Sequence, residues 1–147
     1  MFQNSVTQFP ERTMMWEKHN EKFEGSTYRQ IAEKVKKLTA TLHFFGLGHG
    51  DRVTMLVEGR DDWIITELAV FHTGAINVPL SVKLIEREDI KFRINHSGSR
   101  LVFVSGNQLA KIRALKKDIP GVEKVVVLDE QESYGDKEIF LGDFLDV

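Results

Sequence analysis

The most restrictive feature of this 147-residue chain is a hydrophobic period that switches back and forth along it. Short apolar runs rich in β-branched residues, at 52–57, 75–79, 101–104 and 124–128, alternate with stretches of helical length. The run 101–104, Leu-Val-Phe-Val, is apolar at every position, so as a strand it is covered on both faces. Strands of that kind, joined by segments long enough to form a helix, pair in parallel through crossover connections. The sequence therefore predicts an α/β fold: a mostly parallel, doubly wound sheet with helices on both faces.

The helices carry their own start and stop signals. Thr27-Tyr28-Arg29-Gln30 fits a capping box, in which the threonine hydroxyl and the glutamine amide satisfy free backbone donors at a helix start. Tyr28, Ile31, Val35, Leu38, Leu42 and Phe45 then recur at steps of three and four, one stripe facing a core. Gly46 and Gly48 suit the end of that helix. Asp61 or Asp62 is placed to cap a helix running to about Thr73. Further helices are predicted over 85–96 and 107–118, the second stopped by Pro120-Gly121. Ahead of all these, residues 13–17 and 22–25 flank the polar Lys18-His19-Asn20-Glu21 and read as a β-hairpin.

One unit over 1–147 follows, divided into a hairpin segment at 1–25, an α/β core at 26–128 and an acidic segment at 129–147. That last segment holds Asp129, Glu130, Glu132, Asp136, Glu138, Asp143 and Asp146 against Lys137 alone, a charge of −6 in a chain whose net charge is −2. Residues 1–128 carry the balancing +4. A solvated loop is expected there, with an acidic docking element as the alternative. Ile139-Phe140-Leu141 and Phe144-Leu145 interrupt the acid, so the sequence looks cut in mid-pattern.

Composition removes several classes of function. With 41% apolar and 29% charged residues the chain is globular in balance, and its size allows roughly 70% of the unfolded surface to be hidden. Strictly apolar runs reach four residues against the ~20 needed to cross a bilayer, so no transmembrane segment is expected. There is no cysteine, and Met1-Phe2-Gln3-Asn4 lacks the marks of a leader, which points to the cytoplasm, the membrane periphery included. The near-neutral net charge gives no field to hold a polyanion, and nucleic acid is not an expected partner.

Tests for chemistry return little. Gly46-Leu47-Gly48-His49-Gly50-Asp51 has the glycines of a phosphate loop in the wrong order, leaving a helix and entering a strand instead of the reverse. No Gly-Lys pair, nucleophile elbow or paired histidine spacing occurs, so no catalytic residue and no metal ligand is assigned. His43 and His72 read as packed or edge residues of mostly apolar helices. Lys111, Arg113, Lys116 and Lys117 form a small basic face without the aromatics that stack bases. Three strand-to-helix turns remain, at the end of an α/β sheet where sites form. Glu58-Gly59-Arg60-Asp61-Asp62 presents acids suited to a helix start. Pro79-Leu80-Ser81-Val82-Lys83 offers a hydroxyl and an ammonium. Ser105-Gly106-Asn107-Gln108 offers free amides to a polar ligand, or a plain N-cap through Ser105 or Asn107. Cofactor-binding residues stay unassigned.

The order of landmarks says more than any one of them. Thr27-Tyr28-Arg29-Gln30-Ile31, Phe45-Gly46-Leu47 with Gly50-Asp51-Arg52-Val53, Trp63 ahead of Leu68-Ala69, and Gly74-Ala75-Ile76-Asn77-Val78-Pro79-Leu80 follow one another. Glu88-Asp89-Ile90, Asn95-His96-Ser97-Gly98 and Leu101-Val102-Phe103-Val104 continue the series. Together they resemble the opening of the adenylate-forming ligases, and among these the acyl-CoA synthetases, especially the long-chain fatty acid type. Ser81-Val82-Lys83 departs from the pattern where many relatives carry a second proline.

The resemblance implies an enzyme that joins a fatty acid or other carboxylic acid to AMP using ATP and Mg2+, then passes the acyl group to coenzyme A. It also implies that a phosphate loop ending in Lys-Gly, a later acidic motif and a lysine on a mobile domain carry that chemistry, and none of these occurs within 1–147. The expectation is an amino-terminal scaffold that is inactive alone, binds no ATP tightly and self-associates. The alternatives are a standalone nucleotide- or acyl-binding module and an interaction domain.

Overall fold

The computed structural model describes residues 1–146. Helix α1, Phe2–Gln8, opens the chain and is followed by the hairpin strands β1, Thr13–His19, and β2, Lys22–Thr27. Both are longer than the sequence signal, because the reversal takes only Asn20 and Glu21, each at positive φ (45° and 69°) as a tight two-residue hairpin turn requires. Helix α1 was not expected: its sequence is polar and its start has no side-chain cap, and it is held by Phe2 against the core beneath it.

The capping box forms as predicted. Gln30 N donates to Thr27 Oγ1 at 3.2 Å and Thr27 N donates to Gln30 Oε1 at 2.8 Å, starting α2, Tyr28–Phe44. The remaining elements are β3, Arg52–Leu56; α3, Asp61–His72; β4, Ile76–Pro79; α4, Arg87–Ser97; β5, Leu101–Val104; α5, Leu109–Arg113; β6, Lys124–Val127; β7, Glu138–Phe140; and α6, Leu141–Leu145. Strands β3 to β7 form one parallel sheet in the order β4-β3-β5-β6-β7. Alternate strand residues build two cores. Val53, Met55, Leu101, Phe103 and Val126 meet α2, α3 and Phe144, whereas Leu56, Val102, Val104, Val125 and Val127 meet α4, α5 and the turns after it. The sheet is doubly wound, and the expected fold class holds.

Several expectations need correction. Asp61 and Asp62 do not cap α3. Arg60 occupies the cap position, Asp61 accepts a bond from Ser26 at 3.0 Å, and Asp62 pairs with Arg60 at 2.8 Å. Residues 107–118 are not one helix: a 3-10 turn, Gly106–Gln108, precedes the short α5, and further turns follow. Leu109, Ile112, Leu115 and Ile119, all buried, lie mostly three apart, a spacing that suits tighter turns. The acidic segment is not a solvated loop. Its β7 extends the sheet beside β6, and α6 buries Phe144 completely, stacked on Phe45 at 4.6 Å and edge-on to Phe103.

Two framework positions show why their residue type is needed. Gly74 has φ 79°, and a Cβ there would stand 3.3 Å from His49 Cα, so the end of α3 packs against the preceding loop only because the position is glycine. Pro79 ends β4, which is an edge strand, where a missing N–H leaves no central ladder bond unmade.

Candidate functional site

The chain winds outward from β3 to β4 and then crosses back over β3 to β5. The direction of winding therefore reverses between β3 and β5, and a doubly wound sheet opens its ligand crevice at the carboxyl ends of such a pair. Three loops meet there, after Leu56, Val104 and Val127. They enclose an open cleft of about 430 Å³ lined by Glu58, Arg60, Gly106, Asn107, Asp129 and Gln131.

The cleft is bound to itself. Asp129 receives Arg60 Nη1 on one oxygen and the Gly106 backbone N–H on the other, each at 2.7 Å. Gln108 Nε2 donates to Glu58 Oε1 at 2.6 Å, and Arg60 Nη2 also reaches Asp62 at 2.8 Å. Burial works to raise the Asp129 pKa, but Arg60 and the Gly106 N–H overcome it and hold the carboxyl below its ordinary value. Glu58 follows the same logic: burial raises it, the Ser105 hydroxyl and Gln108 amide beside it lower it, and the lowering wins. For Arg60, burial works against the charged form and the two aspartates prevail.

Gly106 is tightly enclosed. A Cβ on it would meet Gln131 Nε2 at 2.9 Å and Asp129 Cβ at 3.2 Å, so the loop after β6 lies directly on the loop after β5. The Ser105, Gly106 and Gln108 backbone amides of the 105–108 turn are thus in use. One of them already binds an anion, and that anion is a side chain of the protein. Glu58, Asp62 and Asp129 against Arg60 leave the site net negative. Among the described residues Arg60 Nε is a buried donor without a partner, but three carboxylates against one guanidinium do not fit the triphosphate of ATP.

The other candidates separate from this cleft. Ser81 and Lys83 lie beyond β4, on the far side of β3 from the point of reversal, and Ser81 Oγ accepts the Lys83 N–H at 3.2 Å in a local turn. Lys111, read as part of an open basic face, instead donates to the Val82 and Leu84 carbonyls at 2.8 and 2.7 Å and pins that loop. Arg113 pairs with Glu138 at 2.7 Å and Lys116 with Asp136 at 3.3 Å, so two members of the basic face are paired with the chain's own acidic segment. His43 and His72 are exposed helix-edge residues. Among the described residues no group of three or more His, Asp or Glu is arranged to hold a metal ion, and no helix is long and apolar enough to cross a membrane.

Sequence reading missed Asp129. A signal for it existed: it follows the last predicted strand directly, at the same end of the sheet as the other turns.

Fold and cleft together define an α/β scaffold built around a self-occupied crevice. Comparison with known proteins gives the class its name. Residues 2–141 match the family described as AMP-binding enzyme, and the chain belongs to this family of adenylate-forming enzymes. A plipastatin synthase polypeptide of Bacillus subtilis is 27% identical over 133 residues, which is 90% of this chain and 5% of that protein. The long-chain-fatty-acid–CoA ligase of Thermus thermophilus is 27% identical over 130 residues, 87% of this chain and 24% of the ligase. The crystal structure of coronafacic acid ligase from Pectobacterium brasiliense superposes with a TM-score of 0.88 at 19% identity, covering 99% of this chain and 28% of the ligase. The chain spans about a quarter of the length of such ligases. Because a plipastatin synthase and a fatty acid ligase match at the same identity, the fatty acid reading is one of several within the family.

Proposed function

We propose that this chain is the amino-terminal scaffold of an ATP-dependent, AMP-forming acid–CoA ligase, with a fatty acid as substrate, and that it is inactive by itself. The observation that carries the proposal is the occupation of the crevice by Asp129. A family that handles ATP needs a cation-rich phosphate site, whereas the cleft at the switch point here sets three carboxylates against one guanidinium, and Asp129 holds both the Gly106 N–H and Arg60. The phosphate-handling groups then belong to other parts of the enzyme, and residues 1–147 give it a rigid sheet. In the whole enzyme ATP would supply the AMP leaving group that makes the acid transferable, Mg2+ would accompany it, and coenzyme A would accept the acyl group. None of these steps runs through a numbered residue of this chain.

Support for a fatty acid as substrate comes from the Thermus ligase and from the order of landmarks. Two measurements test the reading. Calorimetry of ATP with Mg2+ against the 147-residue chain is expected to give no binding heat at millimolar ligand, and saturable micromolar binding contradicts it. The native enzyme, given a panel of acids with coenzyme A, is expected to prefer long-chain acids; a preference for aryl or amino acids moves the assignment elsewhere in the family.

A further inference from the structure

Helix α2 carries small residues where it runs beside α1. Ala32, Thr39 and Ala40 share one side of it with Lys36 and His43, at steps of three and four. Alanine has no side chain beyond Cβ, so α1 does not close on α2 there. An open groove of about 410 Å³ remains among α1, α2 and α3, within the size range of small-molecule sites. Phe2 and Val6, four apart on α1, and the buried Val35 on α2 give it an apolar lining.

The polar lining of this groove is one-sided in charge. Lys36, His43, His72 and Gln3 contribute to it, and among the described residues that line it there is no carboxylate. That is notable in a chain with 22 acidic residues against 20 basic ones, whose groove beside the hairpin and whose cleft at the switch point both carry acids. Lys36 is exposed and enters none of the ion pairs that occupy Arg29 and Lys37 on the same helix. The His72 ring is fixed in place. A carbonyl only accepts, so Nδ1 donates to Leu68 O at 2.6 Å and the other ring nitrogen meets Gln3 Nε2 at 3.3 Å.

We propose that this groove binds an amphiphilic anion, a free carboxylate on an acyl tail of about eight carbons. The tail lies on Phe2, Val6, Val35 and the two alanines, and the carboxylate meets Lys36, with the Gln3 amide and the two imidazoles as further donors. The lining selects the class by its two halves. A neutral alcohol of the same length fills the apolar part and leaves Lys36 unpaired, and a cationic amphiphile meets a like charge. The site is distinct from the cleft after β3 and β5, and the proposal does not rest on the ligase reading.

Nitrogen-15 NMR of the 147-residue chain, titrated with octanoate, 1-octanol and octyltrimethylammonium, tests it. Octanoate is expected to give saturable shifts confined to residues 2–6 and 32–43 and to the His43 and His72 rings. Its dissociation constant is expected to be roughly threefold to fivefold lower than that of octanol, the small ratio of an exposed charge pair, with the cation weakest of the three. Two substitutions at exposed positions follow. Ala40→Phe fills the groove and is expected to weaken octanoate at least about tenfold, and Lys36→Gln to remove the preference for octanoate while octanol binding persists. Shifts that do not saturate, shifts centred elsewhere, equal affinity for octanoate and octanol, or undiminished binding to Ala40→Phe would each overturn the proposal. The comparison of the three probes uses the unchanged chain, so it decides even where a substitution disturbs the fold.

Discussion

Asp129 shows how a single side chain can decide what a crevice is for. Its carboxylate accepts one bond from Arg60 and one from the Gly106 backbone, so it joins the loops after β3, β5 and β6 and takes the place an external anion would need. The folded state holds Asp129 below its ordinary 3.8, and holds Glu138 below 4.5 chiefly through its bond from Arg113. The unfolded chain therefore binds protons first as pH falls. The stability these two groups contribute is full above the ordinary carboxylate range, declines as pH drops through it, and is lost once their lowered folded values are passed. Asp129→Asn is expected to cost about 1 kcal/mol at neutral pH, a small figure because the pair is partly open to solvent. The loss should shrink toward acid, where the wild type has lost the same charge. Urea midpoints for the two proteins across pH 3 to 7 check this, and a gap that widens in acid contradicts it.

Among the elements, legibility followed local signal. Strands β3 to β6 could be read because each is an apolar run bounded by turn residues, and α2 because its capping box and stripe lie within one stretch. What escaped reading is held by distant partners. The three-residue β7 is indistinct among acids, yet Arg113 and the β6 ladder fix it, and α6 forms because Phe144 fits between Phe45 and Phe103. Helix α1 likewise depends on a surface that only the folded protein provides. Of the three turns named from topology, 58–62 and 105–108 meet in the cleft and 79–83 does not, and the use of the Gly106 amide by a residue 23 positions later had no local trace. The acidic segment is thus structural, and Phe144→Ala is expected to destabilise the protein by roughly 3–5 kcal/mol, as for other buried aromatic truncations. Chemical denaturation monitored by circular dichroism measures this. A loss below about 1 kcal/mol, within the range of ordinary surface changes, would restore the loop reading.

At the scale of the whole molecule, a parallel sheet with two cores carries an open cleft in which Arg60 is paired with Asp129 and Asp62. The chain belongs to the adenylate-forming family and spans about a quarter of the length of the ligases it matches. The most direct measurement is exchange of radiolabelled pyrophosphate into ATP by the purified 147-residue chain, supplied with Mg2+ and a long-chain acid. Exchange no faster than the enzyme-free background is the expected result. Acid-dependent exchange by this chain alone would show that the adenylating groups lie within it and would contradict the account.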